Sequence, residues 1–183
     1  MPDAKFVTAD LIVNWVKIIK SDAEIELIRR AGKIVDRAMQ AGIDAFHPGA
    51  RQCDVAAAIM EAQVRGTDEF GGDYPAIMPL MPSGETAGAP HLTWNDSQYP
   101  DQMSMYIEIA GCHQRYHCPM SRTVCLGDPP KEVDKAAKVT IEGLQAALDT
   151  IKPGALCEDV EAAWRTTVAK YGVEKESRIG YST

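Results

Sequence analysis

The sequence predicts an α+β fold built from two copies of one αβ unit with pseudo-two-fold symmetry, the second copy being incomplete. Long stretches with apolar residues at helical spacing flank a middle region of short, β-rich segments. The segment PGARQCDVAAA at 48–58 returns as PGALCEDVEAA at 153–163, an offset of 105 residues. Such a repeat indicates two halves that complete each other's core around an antiparallel sheet.

The first helical pair begins at Ser21, which forms a capping box with Glu24. The pattern that follows predicts a helix of about 22 residues. Its buried face is expected to carry Ile25, Ile28, Val35, Ala38 and Gly42. A break at 47–49 separates it from a second helix at 54–64, which Gly66 ends.

The middle region, residues 74–126, predicts five short strands separated by proline and glycine. These strands are expected at 76–80, 91–94, 105–109, 116–118 and 122–126. Together they predict a small antiparallel sheet.

The second helical pair is predicted at 132–150 and 158–171, followed by the start of a strand at 178–182. The repeat predicts an end near residue 231, so about 50 residues of the second copy are expected to be missing. A short, divergent second copy is the alternative, and it would expose an unpaired sheet edge. We therefore expect the chain to fold poorly alone or to cover its edge in a homodimer.

Composition excludes several classes of function. A net charge of -7 and a pI near 5.1 argue against nucleic acid or an anionic membrane as a partner. No run reaches the roughly 18 apolar residues of a membrane span. Five cysteines at spacings that match no disulfide scaffold indicate a reducing, cytoplasmic setting, in which they act as small buried hydrophobes.

Several segments together resemble a known family. They are GGDYPAI at 71–77, APHLTW at 89–94 and AGCHQRYHCPMSRTV at 110–124, besides the two PG-bounded helical pairs. In these the chain resembles the pita-bread hydrolases, which include methionine aminopeptidase, Xaa-Pro peptidases and creatinase, and within them the ectoine hydrolases and related creatinase-like enzymes. The resemblance implies that 1–20 is the tail of a separate N-terminal creatinase-like domain. It also implies that 21–183 is a truncated catalytic domain, with a first repeat at about 21–126 and a partial second repeat at 127–183.

The resemblance also locates the metal-binding positions of the family. Metal-dependent members hold one aspartate before Ala-Gly in the first strand and another near the end of the hairpin, and these positions correspond here to Ile109 and Pro119. Neither side chain can ligate a metal ion. Glu108 is expected to point to the opposite face from position 109, because side chains alternate along a strand. We therefore expect no metal ion or other cofactor.

Three histidines are candidates for chemistry. The resemblance to creatinase implies that His91 is the catalytic acid and base, although a lone histidine beside proline is more often structural. His113 and His117 would lie on one face of a strand, about 13 Å apart, which is too far for one zinc ion unless a hairpin bend brings them together.

Four residues are candidates for binding the substrate. His117 belongs to the RYHCP segment, and the resemblance places it in the pocket. Arg122 suits a carboxylate, although a structural ion pair is an equal alternative. Glu108 is a weaker candidate. Tyr74 follows two glycines in a loop that could border the pocket or form a plain turn.

The resulting hypothesis is a metal-independent C–N hydrolase of the ectoine hydrolase and creatinase type, acting on a small compatible solute such as ectoine. Within enzymes, the alternative is an Xaa-Pro-type metallopeptidase with unusual ligands. From another class comes a non-catalytic binding or assembly module, or an inactive fragment.

Overall fold

The computed structural model describes residues 3–175. Its elements in chain order are α1 (Ile12–Lys17), α2 (Asp22–Ala45), α3 (Gln52–Arg65), a 3-10 helix (Gly84–Gly88), β1 (Met103–His113), β2 (Tyr116–Leu126), α4 (Lys131–Thr150) and α5 (Cys157–Ala169). This is the predicted α+β class. The strand predicted at 178–182 lies outside the described residues.

Helix α2 begins with the predicted capping box. The Ser21 hydroxyl accepts from the Glu24 amide at 3.4 Å, and the Glu24 carboxylate accepts from the Ser21 amide at 2.7 Å. The buried stripe of this helix comprises Ala31, Ile34, Val35, Ala38, Met39 and Gly42. It packs against α3 and against both strands, so one helix connects the helical layer to the sheet.

Strands β1 and β2 form one antiparallel hairpin, in register from Met103 opposite Leu126 to His113 opposite Tyr116. The segments predicted separately at 116–118 and 122–126 are parts of the single strand β2, which continues through a proline. The hairpin turn has two residues with left-handed backbone, with φ of 48° and 68°.

Pro119 is tolerated inside β2 because of its register. It lies opposite Ala110, whose carbonyl points away from β2 and accepts from Gln63 Nε2 at 2.9 Å. The two opposed residues therefore form a non-hydrogen-bonded pair, and the nitrogen of Pro119 faces the outer edge of the hairpin. No ladder bond is lost there by the missing N–H group.

The strands predicted at 76–80 and 91–94 are wrong. Within the described part of the chain, pairing on this side of β1 is limited to isolated bridges, Leu80 with Glu108 and Ser83 with Met105. Prolines break the series of backbone donors that a strand needs, at Pro75, Pro79, Pro82 and Pro90.

Residues 3–175 contain two hydrophobic cores. The larger lies between α2, α3 and the hairpin and includes Val55, Ile59, Ile107 and Ile109. The smaller lies between α4 and α5 and consists of Val139, Ala147, Trp164 and Val168, with Val160 and Val173 packed against it.

The cysteines and helices add two facts. All five cysteines are free; Cys112 is buried and Cys157 is exposed, so the expectation of buried cysteines is wrong for Cys157. Within residues 3–175, no helix has the length and apolar character that crossing a bilayer requires.

Candidate functional site

The two faces of the hairpin have different environments. On β1, Met105, Ile107 and Ile109 point into the core below α2 and are at most 1% exposed. The other face of the hairpin is covered less completely, and we call it the open face. It carries Tyr106 and Glu108 from β1, and Pro119, Ser121 and Thr123 from β2.

The open face corrects the expectation for the metal-binding positions. Ile109 lies in the core, on the face opposite to Pro119, so these two positions cannot flank one site. Alternation does separate Glu108 from Ile109, as predicted, but Glu108 is the residue that shares a face with Pro119. Among these two β1 positions, the carboxylate therefore lies where a ligand could reach it.

Glu108 is half-buried, and its backbone exchanges two hydrogen bonds with Leu80, at 3.0 and 2.9 Å. Its carboxylate accepts no hydrogen bond from any described residue. Burial, and then the negative charge of Glu108, raise the pKa of the neighbouring Tyr106 hydroxyl. The arrangement offers a free carboxylate to a cationic or hydrogen-bond-donating ligand.

No group of three or more His, Cys, Asp or Glu side chains in the described part of the chain is arranged to hold a metal ion. The zinc alternative also fails on geometry. His113 lies opposite Tyr116 on the core face, whereas His117 lies opposite Cys112 on the open face. The two-residue turn reverses the chain so that these histidines lie on opposite faces of the hairpin.

His91 lies in an exposed turn with a left-handed φ of 63°. The next residue, Leu92, accepts a hydrogen bond from the Met81 amide at 2.9 Å, which places this turn beyond the segment that pairs with β1. The His91 imidazole makes no hydrogen bond within residues 3–175, so its nitrogens are available for proton transfer. A non-glycine residue in this conformation costs about 1 kcal/mol.

His117 shares the open face with Glu108 but is engaged with the protein. Its Nε2 accepts from the Ala76 amide at 3.0 Å, and its Nδ1 donates to the Arg115 carbonyl at 3.0 Å. Glu108 lies four positions before Cys112, the residue opposite His117, which corresponds to about 13 Å along β1.

The structure separates Arg122 from Glu108. Arg122 is paired with Ile107 and therefore projects on the side of the hairpin that carries the core. It is exposed, and its Nη1 donates to the Ser121 carbonyl at 2.7 Å. Within residues 3–175, the Arg122 side chain does not form the ion pair with an acid that was the predicted alternative.

Tyr74 lies next to the hairpin turn, at the end of the open face that we call the rim, and is 74% exposed. The Arg115 guanidinium lies 4.3 Å from the centre of its ring and donates to its carbonyl at 2.6 Å. The Arg115 amide also donates to Asp73 Oδ2 at 3.2 Å. Sequence reasoning missed the role of Arg115, although it occupies the second position of a two-residue turn that could have been identified.

Comparison with known proteins agrees with this architecture. The family model for metallopeptidase family M24 matches residues 26–183. The ectoine hydrolase of Halomonas elongata is 41% identical over 187 residues, which cover 99% of this chain and 47% of that protein. An uncharacterized hydrolase/peptidase of Sinorhizobium fredii, y4tM, is 44% identical over 182 residues, which cover 100% of this chain and 46% of that protein.

Solved structures show the same relationship. The prolidase from Pyrococcus furiosus superimposes with a TM-score of 0.82 at 25% identity, over 91% of this chain and 48% of the prolidase. The fold is therefore that of the prolidases. The chain spans about half the length of the curated relatives it matches.

Proposed function

Because the chain belongs to metallopeptidase family M24, we propose that it serves a hydrolase that opens a C–N bond in a small compatible solute such as ectoine, without a metal ion. The observation that carries this proposal is the single free carboxylate of Glu108 on the open face, with Pro119 where a second carboxylate would be needed. The 41% identity to an ectoine hydrolase supports the substrate class.

The proposed chemistry uses two side chains. Ectoine contains a cyclic amidine, which is cationic at neutral pH, and a carboxylate such as Glu108 binds an amidinium through paired hydrogen bonds. His91, as the proposed base, takes a proton from water while the oxygen bonds to the amidine carbon. His91 then returns this proton to a ring nitrogen as its C–N bond breaks. The remaining hydroxyl proton passes to the same nitrogen as the carbonyl forms, leaving N-acetyl-diaminobutyrate with a free ammonium group.

The other predicted ligands fit this proposal in different ways. Tyr74 would border the pocket at its rim. Arg122 lies on the other side of the hairpin and would reach a substrate only from beyond the edge of β2. His117 acts through the loop that it holds rather than through the solute.

An NMR time course of ectoine with the purified chain tests the proposal, with and without a strong chelator. We expect turnover that the chelator does not change. Glu108→Gln, which keeps the shape and removes the charge, is expected to abolish turnover, whereas Glu69→Gln, at an exposed position outside the open face, is the matched control. Turnover by Glu108→Gln at the rate of the control would overturn the role of Glu108.

An Xaa-Pro metallopeptidase is the second candidate. The Xaa-Pro dipeptidase of Pyrococcus horikoshii is 26% identical over 168 residues, which supports this alternative more weakly. Its signature would be cleavage of an Xaa-Pro dipeptide that requires an added divalent metal ion and stops with chelator. A folded chain without either activity would instead support the non-catalytic module.

We also propose that the chain forms a cytoplasmic homodimer. The backbone groups of Ser121 and Thr123 face the outer edge of β2, where they pair with no backbone of residues 3–175. Sedimentation of the wild type and of Thr123→Pro tests this assembly: we expect a dimer that the proline weakens. A monomeric wild type would refute it.

A further inference from the structure

Two histidines of the hairpin hold opposite ends of the loop at 71–76. His113 Nδ1 donates to the Gly71 carbonyl at 3.0 Å, and His117 Nε2 accepts from the Ala76 amide at 3.0 Å. The loop covers the end of the open face nearest the hairpin turn. These two hydrogen bonds differ in direction, and that difference determines how each responds to a proton.

The partners of His117 assign its tautomer. A carbonyl oxygen can only accept, so the bond to Arg115 places the ring proton on Nδ1. An amide N–H can only donate, so the bond from Ala76 requires a lone pair on Nε2. A second proton on Nε2 would remove that acceptor and set two N–H groups against each other. His113 donates to its partner in either protonation state.

The groups around His117 do not replace this acceptor. Asp73 already accepts from the Arg115 amide at 3.2 Å, and the Arg115 guanidinium lies over the ring of Tyr74. Cys112 Sγ is 3.9 Å from Nδ1, and burial raises the pKa of its thiol, which keeps it uncharged. The nearest neighbours of His117 along the open face, Ala110 and Pro119, carry no charge.

The loop also determines the shape of the rim. Tyr74 projects from its centre, and the chain then runs through 77–79 to Leu80, which pairs with Glu108. Arg115 and the bond from the Asp73 amide to the Cys112 carbonyl hold the first part of the loop, so a loop detached at Ala76 would be free only in the segment that leads from Tyr74 to Leu80. The course of the chain between Tyr74 and Leu80 is therefore linked to the protonation of His117.

We propose that His117 is a positioning residue whose neutral imidazole fixes the Ala76 end of the loop at 71–76, and that its protonation releases this end from the hairpin. The consequence for a substrate rests on the proposed function, but the release itself does not.

Amide hydrogen exchange followed by NMR on the full chain tests the release. We expect the protection of Ala76, corrected for intrinsic exchange, to fall about tenfold between pH 8 and pH 5. His117→Gln supplies a carboxamide oxygen as a non-titrating acceptor, and it should keep Ala76 protected at both pH values. His113→Asn is the matched control and should keep the pH dependence of the wild type.

Two results would overturn the proposal: equal protection of Ala76 at both pH values in the wild type, or an unchanged pH dependence in His117→Gln. Should His117→Gln fail to fold, the nitrogen chemical shifts of His117 in the wild type decide instead. A proton on Nε2 at pH 8 would refute the assigned tautomer.

A kinetic measurement extends the test to the proposed reaction. With ectoine, the KM of the wild type should rise at low pH and that of His117→Gln should not, while the pH dependence of kcat is the same in both. Absence of turnover would count against the proposed function alone, because the exchange measurement needs no substrate.

Discussion

The two helical pairs share a sequence repeat but differ in what covers them. Val55 in α3 is fully buried, whereas Val160, at the same repeat position in α5, is only partly buried. Helix α2 packs on α3 and on both strands, while α4 packs chiefly on α5. Apolar side chains of α4 remain exposed as a result, namely Ile141, Leu144 and Leu148 at 66%, 53% and 51%.

The difference shows what an amphipathic pattern specifies. The pattern determines which side chains of a helix gain from burial, but these side chains become buried only where a sheet packs against them. Even the shared aspartate changes partner: Asp54 accepts from the Arg51 side chain at 2.8 Å, and Asp159 accepts from the Leu156 amide at 3.2 Å.

The largest effect is expected from a substitution that forces the hairpin away from α2. A side chain at Gly111 would collide with the Ala31 carbonyl and lie 2.7 Å from the Val35 amide nitrogen. Gly111→Ala is expected to lower the free energy of unfolding by about 3 kcal/mol or more. Urea denaturation measures this. Gly88→Ala, with no atom within 4 Å of the added carbon, is the control, and equal midpoints would contradict the close packing.

A matched pair sharpens the comparison. Val55→Ala should lower the free energy of unfolding by about 2 to 3 kcal/mol, because it removes two methyl groups from a filled core. Val160→Ala should cost less than about 1 kcal/mol, since Val160 is already partly hydrated. Denaturation of both variants, followed by circular dichroism, measures the difference. Equal losses would show that α5 is as well covered as α3.

The helix starts provide a smaller contrast. Ser21 caps α2, whereas α4 begins after Pro130 without a side-chain cap. Ser21→Ala should cost about 1 kcal/mol, and Pro130→Ala should have little effect beyond the backbone change. Thermal unfolding of the two variants tests this, and an unchanged midpoint for Ser21→Ala would mean that the capping box contributes nothing.

The smallest expected effect depends on pH. Burial raises the pKa of Tyr99 to about 12, and its hydroxyl donates to Met105 Sδ at 3.0 Å. A raised pKa means that the folded state favours the neutral phenol, so its contribution is complete below pH 10 and is lost as pH rises towards 12. At pH 10.5 the loss is about 0.8 kcal/mol.

Tyr99→Phe should remove this alkaline loss. Tyr171, which follows α5, is the counterpart of Tyr99 near the second helical pair. It is 43% exposed, and its hydroxyl donates to Glu142. Unfolding at pH 8 and 10.5 measures the effect. The same alkaline loss in wild type and Tyr99→Phe would contradict the assignment.

Local signals predicted the helices well. Ser21 and Glu24 are adjacent in space because they are three residues apart in sequence, so the start of α2 could be predicted without tertiary information. The lack of strands at 76–80 and 91–94 could not be predicted in this way, because β-rich composition does not show that the prolines leave too few backbone N–H donors for pairing. Continuity of β2 through Pro119 depends on register, which only the pairing with β1 determines.

The candidate site was predicted in part. Alternation placed Glu108 and Ile109 on opposite faces, but only the packing of α2 shows which face is open. Predicting the faces of Arg122 and His117 requires knowing which residue of β2 lies opposite which residue of β1. A two-residue turn fixes this pairing, and a three-residue turn would move each β2 side chain to the other face.

The position of Pro119 bears on solubility. A strand edge with an unbroken row of N–H groups recruits strands from other molecules and starts aggregation. Pro119 removes one donor in the middle of that row, so an incoming strand can form continuous bonds only on one side of it. The hairpin can thus accept a short, defined partner at Ser121 and Thr123 while resisting the growth of an extended intermolecular sheet.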